Sequence, residues 1–312
     1  MTINAHLDEF QGLPVVDFSC DSALPSDGSK AIRIALDWEA HDSGQSFLDL
    51  FAAFLDAPGS AEVLALLIGD WGGTGEGNDS GPVVEALVSA RDRLPNLRHL
   101  FLGEMTMEES EISWITQSDV SPIFEAFPLL ETFCIRGGND LRLGKPRHKA
   151  LRKLVIETGG MSGAIVREVA SGEFPELVHL ELWLGDDGYG NDVSEDDLRG
   201  LLSSGACSRL TYLGLRDDCN ADATAKLLAE TSVPPTLKTL DLSLGTLGDE
   251  GASALSGCPW LGQLKVLDMH FHYMSAEAVS QLKSVVPAVN ADDVQQPDDW
   301  DGEPHRYVAV GE

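Results

Sequence analysis

Three side chains near the C-terminal end of the sequence have the types needed for acyl transfer. Ser243 is a candidate nucleophile, His270 a candidate base, and Asp268 an acid that could orient it. Ser243 and His270 hold the same position in two consecutive copies of a short motif. Parallel strands would set them one strand spacing apart, about 5 Å. Against this, no oxyanion hole is visible, and Asp268 lies beside the histidine in sequence. His270 and His272, in HFHY, could ligate a metal, but no third ligand stands at a helpful spacing. DDGYGND, from Asp186, offers oxygens that suit calcium yet departs from the D-x-[DN]-x-[DN]-G pattern. WGGTGEGNDSG, from Trp71, is glycine-rich but has neither the G-K-[ST] of a phosphate loop nor any basic residue. The residues therefore read as non-enzymatic, with no catalytic set, metal or cofactor. A hydrolase-like site near Ser243 and His270 stands as the alternative.

The elements that must position these residues follow from one recurring pattern: apolar, two variable, apolar, one variable, apolar. It occurs as LRHLFL from Leu97, LETFCI from Leu130, LRKLVI from Leu151 and LVHLEL from Leu177. It continues as LTYLGL from Leu210, LKTLDL from Leu237 and LKVLDM from Leu264. VLALLI from Val63 is a looser copy and AIRIAL from Ala31 a degenerate one. From Leu97 onward the intervals are 33, 21, 26, 33, 27 and 27 residues, the range of leucine-rich repeats. The fourth and sixth residues of each copy must face one way, as Leu180 and Leu182 do. One such strand cannot bury its face alone; parallel stacking builds a shared core.

Helical spacing marks the segments between strands: 46–56, 81–94, 162–172, 194–205, ADATAKLLAET and SAEAVSQLKSVV. SEDDLRGLLSSG opens on a Ser N-cap with acids in its first turn. The stretch from Leu130 to Ala150 is too short for a full helix and reads as loop. EESEISWI enlarges its unit, and its Ile112, Trp114 and Ile115 fit either a partner-binding insertion or an amphipathic cover for the core.

LDLSLGTLGDEGASALSG, Leu240 to Gly257, resembles a repeat of the ribonuclease-inhibitor-like group. Leu247, Asp249, Gly251, Ala252 and Leu255 match its L-x-D-x-G-A-x-x-L helix stretch. The resemblance implies an α/β leucine-rich-repeat solenoid, a horseshoe with a parallel sheet on the concave face and mainly helices on the convex face. FQGLPVVDF, EESEISWITQSDVSP, ELWLGDDGYG and RYVAVGE also resemble segments of an uncharacterised bacterial family of leucine-rich-repeat proteins, which informs fold rather than function. The chain departs from the common repeat at its ninth position. Asn or Cys is usual there, whereas this column reads Met105, Gly138, Gly159, Gly185, Asp218, Gly245 and His272. Glycine freedom is therefore expected to make the turn.

The predicted organisation is an N-terminal cap at 1–30, a solenoid at 31–289 and an acidic tail at 290–312. GLPVVDF reads as a capping strand, NADDVQQPDDWDGEPH as loop, and RYVAVGE as a strand covering the far edge. Acidic residues number 51 against 21 basic, a formal charge of −30, which repels phosphate backbones and anionic lipid. Nucleic acid and membrane are thus not expected partners. Five cysteines without a C-x-x-C pair suit a reducing compartment. MTINAHLDEFQG has neither a basic nor an apolar leader region, and no apolar run nears the length of a bilayer span. A cytoplasmic location is the expectation.

Third, fifth and seventh positions of each copy alternate away from the core. They set Phe101, Arg136, Lys153, Glu157, His179, Glu181, Trp183, Tyr212, Arg216, Asp241, Asp268 and His270 on the concave face. Aromatic and arginine side chains dominate interface energetics. The fifth-position row turns acidic at Glu181, Asp241 and Asp268, and nearby loops add Asp186, Asp187, Asp192, Asp217 and Asp218. The expectation is a protein partner with a basic patch, Trp183 as its anchor, and an adaptor, inhibitor or regulator role. The remaining alternative is a structural subunit of a larger assembly.

Overall fold

The computed structural model describes residues 3–20, 24–300 and 302–311. Contacts divide the chain into two compact units, Met1–Ile156 and Glu157–Gly311. Each is built from the repeat and is taken in turn.

The first unit opens with a hairpin, β1 (Glu9–Phe10) and β2 (Leu13–Asp17), paired antiparallel. Its two-residue turn has Gln11 at φ 52° and Gly12 at φ 79°, the double positive φ that matches strand twist. Then follow β3 (Ala31–Ile34), α1 (Trp38–Asp42), α2 (Phe47–Asp56), β4 (Ala65–Ile68), α3 (Gly81–Ser89), β5 (His99–Leu102), α4 (Ser121–Ala126), β6 (Thr132–Arg136) and β7 (Lys153–Glu157). The strands lie side by side in chain order, parallel from β2 to β6. Register aligns Ile32, Leu66, Leu100 and Phe133, all sealed from solvent. No helix separates β6 from β7; that short unit is the expected loop, with Leu141 and Leu143 buried.

The second unit runs α5 (Gly163–Ala170), β8 (His179–Gly185), α6 (Glu195–Leu202), β9 (Tyr212–Asp218), α7 (Ala221–Glu230), β10 (Thr239–Asp241), α8 (Asp249–Ser256), β11 (Val266–Asp268), α9 (Ala276–Lys283) and β12 (Ala288–Asn290). Strands β8 to β12 are parallel and align Leu180, Leu213, Leu240, Leu267 and Val289. The four leucines are buried, as the alternation required. Helices form where the 3.6-residue spacing placed them. Ser194 caps α6 in a full capping box with Asp197, and Ser275 accepts from the Ala278 amide. Leu247, Ala252 and Leu255 of the ribonuclease-inhibitor-like stretch face the core. Both units therefore have the α/β leucine-rich-repeat solenoid fold.

The turns differ from expectation by one residue. The left-handed conformation falls mostly on the eighth position: Gly137 at φ 101°, Asp217 at 54°, Leu244 at 68° and Phe271 at 59°. Of the ninth-position glycines, Gly185 is the one with positive φ. The ladder carries the three non-glycine residues through. Asp217 N donates to Ser243 O (2.8 Å), Leu244 N to His270 O (2.9 Å) and Phe271 N to Asp292 O (2.9 Å). Gly245 is needed for close approach instead, since a Cβ there would lie 2.8 Å from the Asp218 carbonyl oxygen.

The ends also differ. GLPVVDF contains strand β2, which pairs parallel to β3. The stretch read as loop contains a hairpin, β13 (Asp298–Trp300) with β14 (Glu303–His305). The segment read as a covering strand, 306–311, forms none; it is an extended run fastened by scattered hydrogen bonds. Residues 1, 2, 21–23, 301 and 312 of the expected caps lie outside the described residues.

Candidate functional site

On the helix-free face of the second unit, three adjacent strands deliver their third, fifth and seventh side chains to one polar cluster. The fifth-position row pairs Glu181 with Gly214, Gly214 with Asp241, and Asp241 with Asp268. Two carboxylates thus flank a glycine, and the space it leaves is filled from neighbouring positions. The Tyr212 hydroxyl donates to Asp241 Oδ2 (2.7 Å) and lies 3.2 Å from Glu181 Oε2. Arg216 donates through Nη1 to Glu181 Oε1 (2.8 Å) and through Nε to Ser243 Oγ (2.9 Å), with Asp241 Oδ2 at 3.5 Å. Trp183 Nε1 donates to Glu181 Oε1 (2.8 Å) beneath the Arg216 guanidinium, 4.9 Å from the ring. His179 stacks flat on Tyr212, with centroids 3.9 Å apart.

The electrostatics are those of a paired, desolvated network. Burial alone would raise the Glu181 carboxyl. Hydrogen bonds from His179 and Trp183 and the charge of Arg216 instead hold it well below the ordinary carboxylate range. Burial opposes charge on Arg216, but Asp241 and Glu181 keep it firmly protonated. Burial, with Glu181 and Asp241 behind it, makes the Tyr212 phenol much harder to ionise. At the edge of the cluster, His270 Nδ1 bonds Asp268 Oδ1 (2.8 Å) and Asn290 donates to Asp268 Oδ2 (3.2 Å). Burial disfavours the Asp268 charge, yet these bonds keep its carboxyl below the usual value.

The predicted face residues thus divide. His179, Glu181, Trp183, Tyr212, Arg216, Asp241, Asp268 and His270 converge; Glu157 lies half-buried on β7. Trp183 is not an exposed anchor. It is 3 % exposed, because Arg216 and Glu181 close over it. Asp217 and Asp218 are not rim acids either, being 0 % and 2 % exposed. Asp217 is the eighth residue of its copy and lies on the inward side of the strand with Leu213 and Leu215. Asp218 serves the start of α7, accepting from Asn220 N (2.7 Å) and Thr224 Oγ1 (2.5 Å), and burial pushes its carboxyl up to about 6. Ser243 is buried against Arg216, while His270 is held by Asp268, so the pair does not form the nucleophile–base contact. Both His272 ring nitrogens meet backbone, Ala291 O (3.1 Å) and Met274 N (3.0 Å).

In the first unit, Lys153 is half-buried, while Phe101 and Arg136 are buried rather than presented. Phe10 of the N-terminal hairpin sits 6.0 Å from the Phe101 ring, and with Leu7, Leu13 and Val15 covers Ala31, Ala65, Leu67, Cys134 and Val155. The cover is pinned by Glu104, which receives His6 Nδ1 (3.0 Å), Leu7 N (2.9 Å) and Arg33 Nη1 (3.3 Å). Arg136 lies over Phe101 and donates to the Met105 carbonyl. In the EESEISWI insertion Ile112 and Ile115 pack inward and Trp114 stays 56 % exposed. Sequence reading missed the cover, although the Gln-Gly turn signal between Phe10 and Leu13 was present in FQGL.

This architecture is a leucine-rich-repeat fold. The leucine-rich-repeat family model matches residues 233–256, the stretch holding β10 and α8. The chain is similar to a Bacteroides fragilis protein of known crystal structure, at 28% identity and a TM-score of 0.79, covering 90% of this chain and 77% of that one. Alignment with an internalin from Listeria monocytogenes has 12% identity and a TM-score of 0.37, over 85% of this chain and 73% of that one. No curated protein sequence matches. No helix among the described residues is long and apolar enough to cross a membrane.

Proposed function

We propose that the chain is a non-enzymatic scaffold that docks a protein partner bearing basic side chains on the helix-free face of the second unit. Leucine-rich-repeat domains generally serve as protein-interaction scaffolds, which supplies the class. One observation carries the finer reading. Among the described residues, Glu181, Asp241 and Asp268 share this face with a single guanidinium, Arg216, so three carboxylates face one fixed cation. The cluster is locked by its own hydrogen bonds, so a partner meets a surface that is already organised. His179 and Tyr212 stand half-exposed on it, and Asp268 and His270 form its accessible edge. The chain's charge of −30 steers basic partners toward it and disfavours nucleic acid and anionic membrane. Five free cysteines fit a cytoplasmic setting.

The test is affinity capture with three versions of the chain: unaltered, His179→Ala with Asp268→Lys, and Glu195→Lys on the helical side. A partner retained by the first and third but released by the second is expected, with retention weakening as salt rises. Equal retention by all three would remove this face from the interaction.

A further inference from the structure

The extended segment after β14 binds back onto the second unit through a buried carboxyl. Arg306 enters first: Nη1 donates to Asp222 Oδ2 (2.9 Å) and Thr246 O (3.0 Å), and its guanidinium covers the Tyr273 ring at 5.6 Å. Gly248 makes room, since a Cβ there would run into that guanidinium. Tyr307 then exchanges two bonds with the Tyr273 hydroxyl, accepting at O (2.9 Å) and donating from N (3.0 Å). Ala309 N donates to Leu244 O (2.8 Å), and Val310 N donates to Asp217 Oδ1 (2.9 Å). Val310 is buried over the left-handed turn. The other Asp217 oxygen, Oδ2, is sealed from solvent without any partner.

A buried carboxyl with one oxygen unpartnered is tolerable when neutral and costly when charged. The groups facing it do not alter that. Arg216 and Asp218 flank it on β9 with opposite charges, and the turn after β10 offers the Ser243 carbonyl to the Asp217 amide. The segment presents only the Ala309 and Val310 amides, because Arg306 is spent on Asp222 of α7. We infer that residues 306–311 form a proton-dependent latch over the ends of β9 and β10, closed while Asp217 carries a proton and released as it ionises. Release would uncover the ends of these strands beside Arg216. The inference does not depend on what docks there.

The sign follows from burial, which raises the Asp217 carboxyl well above its ordinary value in the latched state. The latch is therefore fully favoured below the ordinary carboxylate range. It weakens as pH rises toward the raised value and levels off beyond it, with opening growing about tenfold per pH unit in between. Hydrogen exchange at the Ala309 amide, corrected for intrinsic chemistry and followed from about pH 5 to about pH 9, reads this directly. Protection in the unaltered chain should fall with that slope. Asp217→Asn, which keeps the oxygen that Val310 uses, should abolish the dependence, while Asp218→Asn should retain it. Val310→Pro removes the donor but leaves Asp217 in place, and should leave Ala309 unprotected at every pH while the core stays protected. The same pH profile in the unaltered chain and Asp217→Asn, or undiminished Ala309 protection in Val310→Pro, would overturn the latch.

Discussion

The two units share one repeat yet finish their helix-free faces in opposite ways. In the first, the fifth-position side chains include Leu67, Phe101, Cys134 and Val155, and the apolar surface is covered by the chain's own Phe10. In the second, the same position reads Glu181, Gly214, Asp241 and Asp268, and the surface is satisfied from within by Arg216 and Tyr212. An apolar face left open costs hydrophobic free energy in water, so it needs a lid. A polar face that pairs its own charges can stay open. The pattern that builds the core is therefore silent about the outer face, where chemistry at alternate positions decides whether the surface is closed or available.

Removing Arg216 breaks the second face most severely. Arg216→Met leaves Glu181 and Asp241 buried beside each other without a cation, and should cost about 3–5 kcal/mol, measured by chemical denaturation. The pH response separates this from ordinary core damage. In the unaltered chain Glu181 is held below its ordinary value, so its contribution is present above that value and lost as pH falls. Without Arg216, burial dominates and raises it, so stability should then improve on acidification. Two curves with the same slope would show that Arg216 does not set the Glu181 charge.

The first face should break through its lid. Phe10→Ala removes the ring over Phe101 and should cost about 3 kcal/mol. It should also expose enough apolar surface for a hydrophobic dye to bind. A dye-silent variant would mean that Leu7, Leu13 and Val15 suffice as cover.

The stacked strands were legible because Leu180, Leu213 and Leu240 sit at a fixed place in each copy, and inward packing of apolar residues admits few other solutions. The cap at Ser194 was legible from its own surroundings, a serine followed by acids in the first turn. What escaped was side-chain traffic across strands. Asp217 was read as part of an acidic rim, yet it is the eighth residue of its copy, and alternation already turns that position inward with Leu213 and Leu215. Trp183 was placed on the correct face, yet its exposure depends on where Arg216 from the next repeat comes to rest. The contacts of Phe10 with Phe101 and of Val310 with Asp217 join residues with no periodic relation, so no repeat pattern could announce them.

The smallest expected effect tests the contrast most finely. Gly214 is the one missing side chain in the acidic row. A Cβ there would stand 3.1 Å from Glu181 Cγ, 3.1 Å from Tyr212 Cε1 and 3.2 Å from the Tyr212 hydroxyl. The backbone itself tolerates alanine, because Gly214 is absent from the positive-φ glycines. Replacing glycine at such a position gains roughly 0.4–1 kcal/mol by restricting the unfolded chain. Overpacking a filled site costs roughly 1–3 kcal/mol. Gly214→Ala should therefore lose about 1 kcal/mol net, with the Tyr212 hydroxyl pushed off Glu181 and the stack on His179 disturbed. The matching position on the first face already carries Cys134 and Val155 under an apolar lid and has no hydroxyl to displace. A Gly214→Ala variant more stable than the unaltered chain would show that the vacancy is not what seats Tyr212 between the two carboxylates.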